Sequence, residues 1–287
     1  MGYFLRNGLV GLCLLILSLP SFALTTFTYR GKEHVNDTRS EYSIVLFRLA
    51  LEKTVSSHGS YKLDLVPRMN SSRALKSVEG NLFSNFFTKL SVSTENLKQY
   101  SYADFPVDLG IVGYRVFFVS AQSQQALQAV DNIEQLKEFT IGQGAGWLDS
   151  EILKYHNFKV VLGGTYQALF KMVAKGRFDL FSRGSNELLA EYQAHQNIEG
   201  LLYDKHIALY YPLPRFFFTN KANADAANRI KQGLLKAYYD GSLMALWKKY
   251  YGESLDFVDL RHRKIFRLDN PYIEGIDPSY QQYIYQP

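Results

Sequence analysis

Residues 25–29 alternate β-favouring side chains and stop at Arg30-Gly31, which predicts a strand closed by a turn. After a polar stretch, residues 41–56 place Ile44, Val45, Phe47, Leu49, Leu51 and Val55 on one helical face. Residues 61–66 alternate again as a short strand, and residues 71–78 read as a capped short helix. Strand and helix thus take turns, an order that favours a mostly parallel sheet covered by helices.

The pattern restarts further on. Residues 113–119, Gly-Tyr-Arg-Val-Phe-Phe-Val, predict a strong strand, and the polar residues 120–129 a helix or linker. Residues 139–143 form a strand that breaks at Gly144-Ala145-Gly146 into a helix over 148–156. Strands at 159–162 and 178–182 and helices at 165–175 and 185–196 complete a second βαβ unit. Residues 215–219 give one more apolar strand, followed by helices over 222–239 and 242–251. This late material has too few strands for a third domain, so it must complete the first lobe. The last 30 residues, rich in Tyr, Pro and Asp, read as a tail laid over a surface.

The N-terminus adds a destination. Arg6 precedes an apolar run over residues 8–19, and Pro20-Ser21-Phe22-Ala23 follows, the layout of a secretory signal cleaved after Ala23. The run is shorter than the roughly 20 residues a membrane-spanning helix needs. Cys13, the sole cysteine, lies inside it, so the chain from residue 24 carries no thiol, disulfide or lipid-bearing cysteine. About 264 residues remain, ample to stabilise one or two cores without a covalent staple. Their charge is +4, spread without basic blocks, which argues against nucleic acid as a partner. Aromatic residues make up 15% of the chain, and some of them would line a cleft between two lobes.

This order of elements resembles the bacterial extracellular solute-binding proteins of family 3. The resemblance rests on residues 100–106, on Gly-Ile-Val-Gly-Tyr-Arg-Val-Phe-Phe-Val at 110–119, and on Ile-Gly-Gln-Gly-Ala-Gly-Trp at 141–147. It rests also on the Gly176-Arg177-Phe178-Asp179 turn and on the closing helix at 245–251. It implies an α/β periplasmic binding protein of type II, with two lobes that are each a mostly parallel sheet flanked by helices. Two inter-lobe crossovers would divide the chain into 24–119 plus 212–287 and 120–211.

Two departures bear on the ligand. The resemblance implies a Thr-x-x-Arg element whose arginine forks onto a ligand carboxylate, and here Asn96 stands in the arginine's place, within Ser93-Thr94-Glu95-Asn96. It also implies an aspartate for the ligand's ammonium where this chain has Gly184, preceded by Arg183. Both halves of an α-amino-acid clamp are missing, which argues against an ordinary free amino acid. The turn at 142–147 still offers backbone N–H groups and a helix dipole to an anionic group. Arg183 would be its bidentate partner, with Trp147 and Tyr29 as walls. Arg30, Tyr102, Gly144 and Gly146 complete the expected ligand-binding set. A rival role for Arg183 is an ion pair with Glu187, one helical turn on, and Asn186 and Glu187 read as capping residues.

Other chemistry finds little support. Gly144-x-Gly146 is not a dinucleotide fingerprint, because Asp149 stands where the third glycine belongs. The six histidines show no metal-ligand spacing, and no Gly-x-Ser-x-Gly elbow occurs. No cofactor, metal or catalytic residue is expected. The pattern implies a monomeric periplasmic protein that closes on a small ligand and presents it to an ABC transporter permease or a membrane sensor. The alternatives are a dehydratase-like enzyme on the same fold, with Glu95 or Glu187 as its acid, and a ligand-free interaction scaffold that uses the Tyr-rich tail.

Overall fold

The computed structural model describes residues 24–31, 40–67, 69 and 71–287, so the signal read at residues 1–23 lies outside the described residues. In chain order the first elements are β1 (Thr25–Arg30), α1 (Glu41–Glu52), α2 (Val55–His58), β2 (Tyr61–Val66) and α3 (Ser71–Glu79). β3 (Phe86–Ser91), α4 (Thr94–Gln99) and β4 (Ser101–Ala103) follow. The second group is β5 (Tyr114–Val119), α5 (Ala121–Leu127), α6 (Ile133–Lys137), β6 (Thr140–Gly144), α7 (Leu148–Tyr155), β7 (Lys159–Gly163) and α8 (Tyr166–Ala174). It continues through β8 (Leu180–Gly184), α9 (Leu188–His195), β9 (Leu202–Tyr203) and β10 (Ile207–Tyr210). β11 (Arg215–Thr219), α10 (Ala224–Tyr239), α11 (Ser242–Val258) and β12 (Lys264–Arg267) complete the chain.

Two sheets result, each flanked by helices. The first runs β2-β1-β3-β11-β4, and the second β12-β10-β5-β8-β6-β7 with β9 beside β5. The first matches its βα pattern only in part: β1 pairs β2 and β3 in parallel, whereas β11 runs antiparallel to β3 and β4. The second is likewise mixed, because β5 is antiparallel to β8, β9 and β10. Four of the five strands in the first sheet and six of the seven in the second share one direction, so each sheet is mostly parallel with a single reversed strand. The reversed strand is the late β11 in the first sheet and β5, the earliest strand of its lobe, in the second.

The division at residue 119 is corrected. All six residues of β5 are buried, and the strand sits between β8 and β10 in the second sheet. Its apolar run needs covered faces and two paired edges, and it finds them between β8 and β10. β12 belongs there as well, in parallel with β10, although residues 212–287 were expected in the first lobe. The chain crosses between sheets through residues 104–113 and 211–214, as the two-crossover reading has it. It then crosses twice more, into β12 and out again through residues 268–276.

Helix starts follow from capping. Ser93, Ser120, Asn132 and Thr165 each accept the backbone N–H of the third residue of the following helix. α10 packs closely on α1, where a Cβ added at Gly233 would stand 2.0 Å from the Ala50 carbonyl oxygen, so only glycine permits this approach. The tail is packed rather than merely laid over the surface. Tyr280 is buried against the face of the first sheet that carries Phe216 and Phe218, and the Tyr285 N–H donates to the Leu109 carbonyl at 2.8 Å.

Candidate functional site

A cavity of about 440 Å3 opens between the two sheets. The first lobe contributes the end of β1 (Tyr29, Arg30), the outer half of β3 (Thr88 to Ser91) and the start of α4 (Ser93, Glu95, Asn96). Arg215, at the start of β11, completes that wall. The second lobe contributes Arg115 of β5, the turn from Gly146 to Asp149, Arg183 of β8, and Glu187. Strand ends converge there because loops at one edge of an open α/β sheet leave a crevice between neighbouring strands.

Five of the seven residues singled out from the sequence border this cavity: Tyr29, Arg30, Gly146, Trp147 and Arg183. Tyr29 does so as a core residue, buried with its ring 5.0 Å from Phe47 and edge-on to Phe217 at 5.6 Å. Arg30 donates from Nε to the Met69 carbonyl at 3.1 Å. Gly146 holds φ +77°, the left-handed conformation that lets the strand turn into α7. Tyr102 and Gly144 do not line it. Side chains alternate across a sheet, so Tyr102 takes the face that carries Phe216 and Phe218, 5.8 and 5.6 Å away. Gly144 lies beneath the Trp147 ring, where an added Cβ would meet the indole at 2.4 Å. It shapes the wall without touching the cavity.

Arg183 is not a bare cation. Its Nε donates to both Glu191 carboxylate oxygens at 3.0 and 2.7 Å, and its Nη2 lies 3.0 Å from Glu187 Oε2. Burial works against its charge, but the two carboxylates overcome that and raise its pKa further. The guanidinium also lies over Trp147, 5.0 Å from the ring centroid. The Glu187 pairing read as a rival role is present, and Glu191 adds a second carboxylate. Glu187 also accepts the Gly184 N–H at 3.0 Å. Burial pushes its carboxyl up, yet Arg183, Arg215 and Arg115 hold it well below the usual carboxylate range.

The helix start after Gly146 already has its anion. Asp149, in the first turn of α7, lies 2.7 Å from Arg115 Nη2 and accepts the Tyr211 hydroxyl at 2.6 Å. On the first lobe, Lys89 donates to the buried Asp108 carboxylate at 3.1 and 3.3 Å. Burial lowers the Lys89 pKa, and Asp108 offsets this only in part. The Arg215 guanidinium makes no hydrogen bond to the described residues. Its nearest carboxylate oxygens belong to Asp108, at 3.8 Å, and Glu187, at 4.0 Å.

The two walls therefore differ in how their described cations are paired. Among the described residues, Lys89 and Arg215 face one interior carboxylate, Asp108, on the first lobe, whereas Arg115 and Arg183 face three, Asp149, Glu187 and Glu191, on the second. Glu95 and Glu151 stand exposed at the rim. Arg215, Lys89, Arg115 and Glu191 were not singled out from the sequence. The available signal was a charged residue inside or opening an otherwise apolar strand, as in Tyr-Arg-Val-Phe-Phe and Arg-Phe-Phe-Phe. Among the described residues no cluster of His, Cys, Asp and Glu has metal-binding geometry, and no helix is long and apolar enough to cross a membrane.

No protein-family model and no curated protein sequence matches the chain. Solved structures do match it. A probable amino-acid ABC transporter extracellular-binding protein from Bacillus subtilis aligns with TM-score 0.59 at 18% identity, over 81% of this chain and 99% of its own. A histidine kinase sensor domain with similarity to periplasmic binding proteins aligns with TM-score 0.59 at 16% identity, over 79% and 96%. An ancestral amino-acid-binding protein described as a precursor of cyclohexadienyl dehydratase aligns with TM-score 0.55 at 15% identity, over 79% and 95%. The fold is that of the two-lobed periplasmic binding proteins.

Proposed function

We propose that this chain is a periplasmic solute-binding protein, exported through a cleaved signal at residues 1–23, whose lobes close on a small polar ligand bearing a carboxylate or similar oxyanion. The observation that carries the reading is Arg215, a planar cation at the cavity wall with no hydrogen-bonded partner among the described residues. Such a fork suits bidentate capture of a carboxylate. Arg30 lies on the same wall, while Trp147, backed by Arg183, supplies a flat face.

Glu187 widens the ligand class. It brings a carboxylate to the place where Gly184 lacks one, so a cationic group on the ligand has an anion to face. A zwitterion is thereby readmitted, with its two ends held by residues other than Asn96 and Gly184. The likeness to amino-acid-binding proteins supports this, and the likeness to a kinase sensor domain keeps a membrane sensor beside a transporter permease as the partner.

Binding is favoured over catalysis. Glu187 is an anion at neutral pH and has no proton to give, and Glu95 is exposed and accepts the Gln99 amide at 3.2 Å. The test is a thermal-shift screen of residues 24–287 against amino acids, organic acids, peptides and sugars, since a ligand that binds only the folded state raises the melting temperature. A shift with carboxylate compounds that vanishes in Arg215→Gln is the expected result. Shifts confined to uncharged sugars, or retained in full by Arg215→Gln, would overturn it.

A further inference from the structure

The C-terminal residues touch both lips of the cleft. Leu268 donates its N–H to Tyr210 of the second lobe at 2.8 Å, and Asp269 Oδ1 lies 3.1 Å from His156 Nε2 at the end of α7. Five residues after Asp269 the chain is fixed to the first lobe, where the Thr94 hydroxyl donates to the Glu274 carbonyl at 2.7 Å. Beyond that point Tyr280 and Tyr285 pack into the first lobe, so this anchor does not rest on one bond. Thr94 begins α4, which carries the cavity residues Glu95 and Asn96, and His156 ends α7, which carries Asp149.

The bridging piece is short and stiffened. Asn270 donates to the Pro212 carbonyl at 2.8 Å, which ties it to the crossover at 211–214, and its Oδ1 accepts the Tyr272 N–H at 2.9 Å. Pro271 opens a 3₁₀ turn over Pro271–Ile273. Unwinding three residues from a rise of about 2 Å to an extended rise of about 3.3 Å lends only about 4 Å. Any wider separation of the lips must break the bonds at Asp269 or Thr94.

We infer that residues 268–276 are a strap that sets how far the two lobes open, and so governs ligand entry to the cleft. The inference rests on the reading of hinged lobes given above. It also accounts for the two extra crossings of the chain, which place a further covalent tie beside the crossover at 211–214.

The test uses residues 24–287, which contain no cysteine, with spin labels at Lys76→Cys on α3 and Lys171→Cys on α8, both exposed and on different lobes. Inserting Gly-Ser-Gly between Leu268 and Asp269 lengthens the strap without removing a packed side chain. The expected result is a longer and broader label-to-label distance in the ligand-free protein at an unchanged melting temperature. An unchanged distance distribution in a folded insertion variant would overturn the strap. Should the insertion fail to fold, Thr94→Val with His156→Ala cuts the side-chain ties at native length, since His156 Nε2 meets both the Asp269 carboxylate and its backbone carbonyl, and is read in the same way. A parent that shortens its distance with a hit from the thermal screen, beside an insertion variant that never lengthens, refutes the strap alone. Distances unmoved by any hit in either protein refute the hinged reading as well.

Discussion

Glu187 Oε2 reaches back to the backbone N–H of Gly184 at 3.0 Å and fills the room a side chain at 184 would need, since a Cβ there would lie 3.0 Å from that same oxygen. One residue's absent side chain is another's binding site. The same carboxylate meets Arg183 at 3.0 Å, so it closes the end of β8 and pairs a cation of the second wall at once.

Acid should expose this role. A carboxyl held below its ordinary pKa contributes stability that is present above about pH 4.3 and lost as pH falls toward its folded value. Glu187→Gln should cost about 2 kcal/mol at pH 7, and the gap to the parent should shrink as pH falls from 5 to 3. Denaturant titrations across that range give the comparison, and a pH-independent gap would refute the assignment.

Arg215→Gln should leave the melting temperature close to the parent's, because its guanidinium has no hydrogen bond to lose among the described residues. Affinity for a carboxylate ligand should fall by about 10- to 100-fold, the worth of one charge-assisted fork. Calorimetric titration separates these two effects. A large loss of stability with unchanged affinity would make Arg215 a structural residue.

Glu191→Ala strips Arg183 of its main partner while the guanidinium stays buried. Removing one member of a buried pair costs about 3–5 kcal/mol, and the remaining Glu187 contact should keep the loss at the lower end. Urea unfolding would measure it, and a cost under about 1 kcal/mol would show the pair to be solvated.

Gly144→Ala places a methyl where the Trp147 indole lies, 2.4 Å from the nearest ring atom. Overpacking of this kind costs about 1–3 kcal/mol. The ring should swing out from its stack on Phe181, shifting indole emission to the red. Trp247, the other tryptophan, is buried and bonded to the Asp108 carbonyl, and it supplies the unmoved reference.

Much of this architecture can be read from local pattern, because β1, β2, β5 and β6 each alternate or run apolar within a few residues. β3 escapes such reading: Phe86-Phe87-Thr88-Lys89-Leu90-Ser91 ends in polar residues that resemble a turn, yet Lys89 faces the cavity and Asp108. α11 runs on to Val258 through Gly252, a residue that locally suggests a stop. Lobe membership is harder still. Nothing within residues 114–119 says whether β4 or β8 will be the neighbour, because pairing is decided by chain far away.

The same limit hides the site. Gly146 and Trp147 announce themselves through turn chemistry, but Arg215 meets Ser91 and Asp108 only once β11 has inserted between β3 and β4. Arg183 is legible as a charge at a strand end, whereas its neutralisation by Glu191 depends on how α9 lies against β8. Residue type marks the candidates, and tertiary pairing decides which of them still has charge to offer.

β12 has a further consequence for the order in which the protein can be made. β10 emerges from the ribosome well before its outer partner, leaving a strand of buried residues, Ile207, Ala208 and Leu209, as an uncovered edge until residues 264–267 arrive. The second lobe cannot finish ahead of α10 and α11 of the first, which are synthesised in between. A nascent chain stopped before residues 264–267 would thus carry an adhesive edge, so the second lobe stays vulnerable until late in its synthesis.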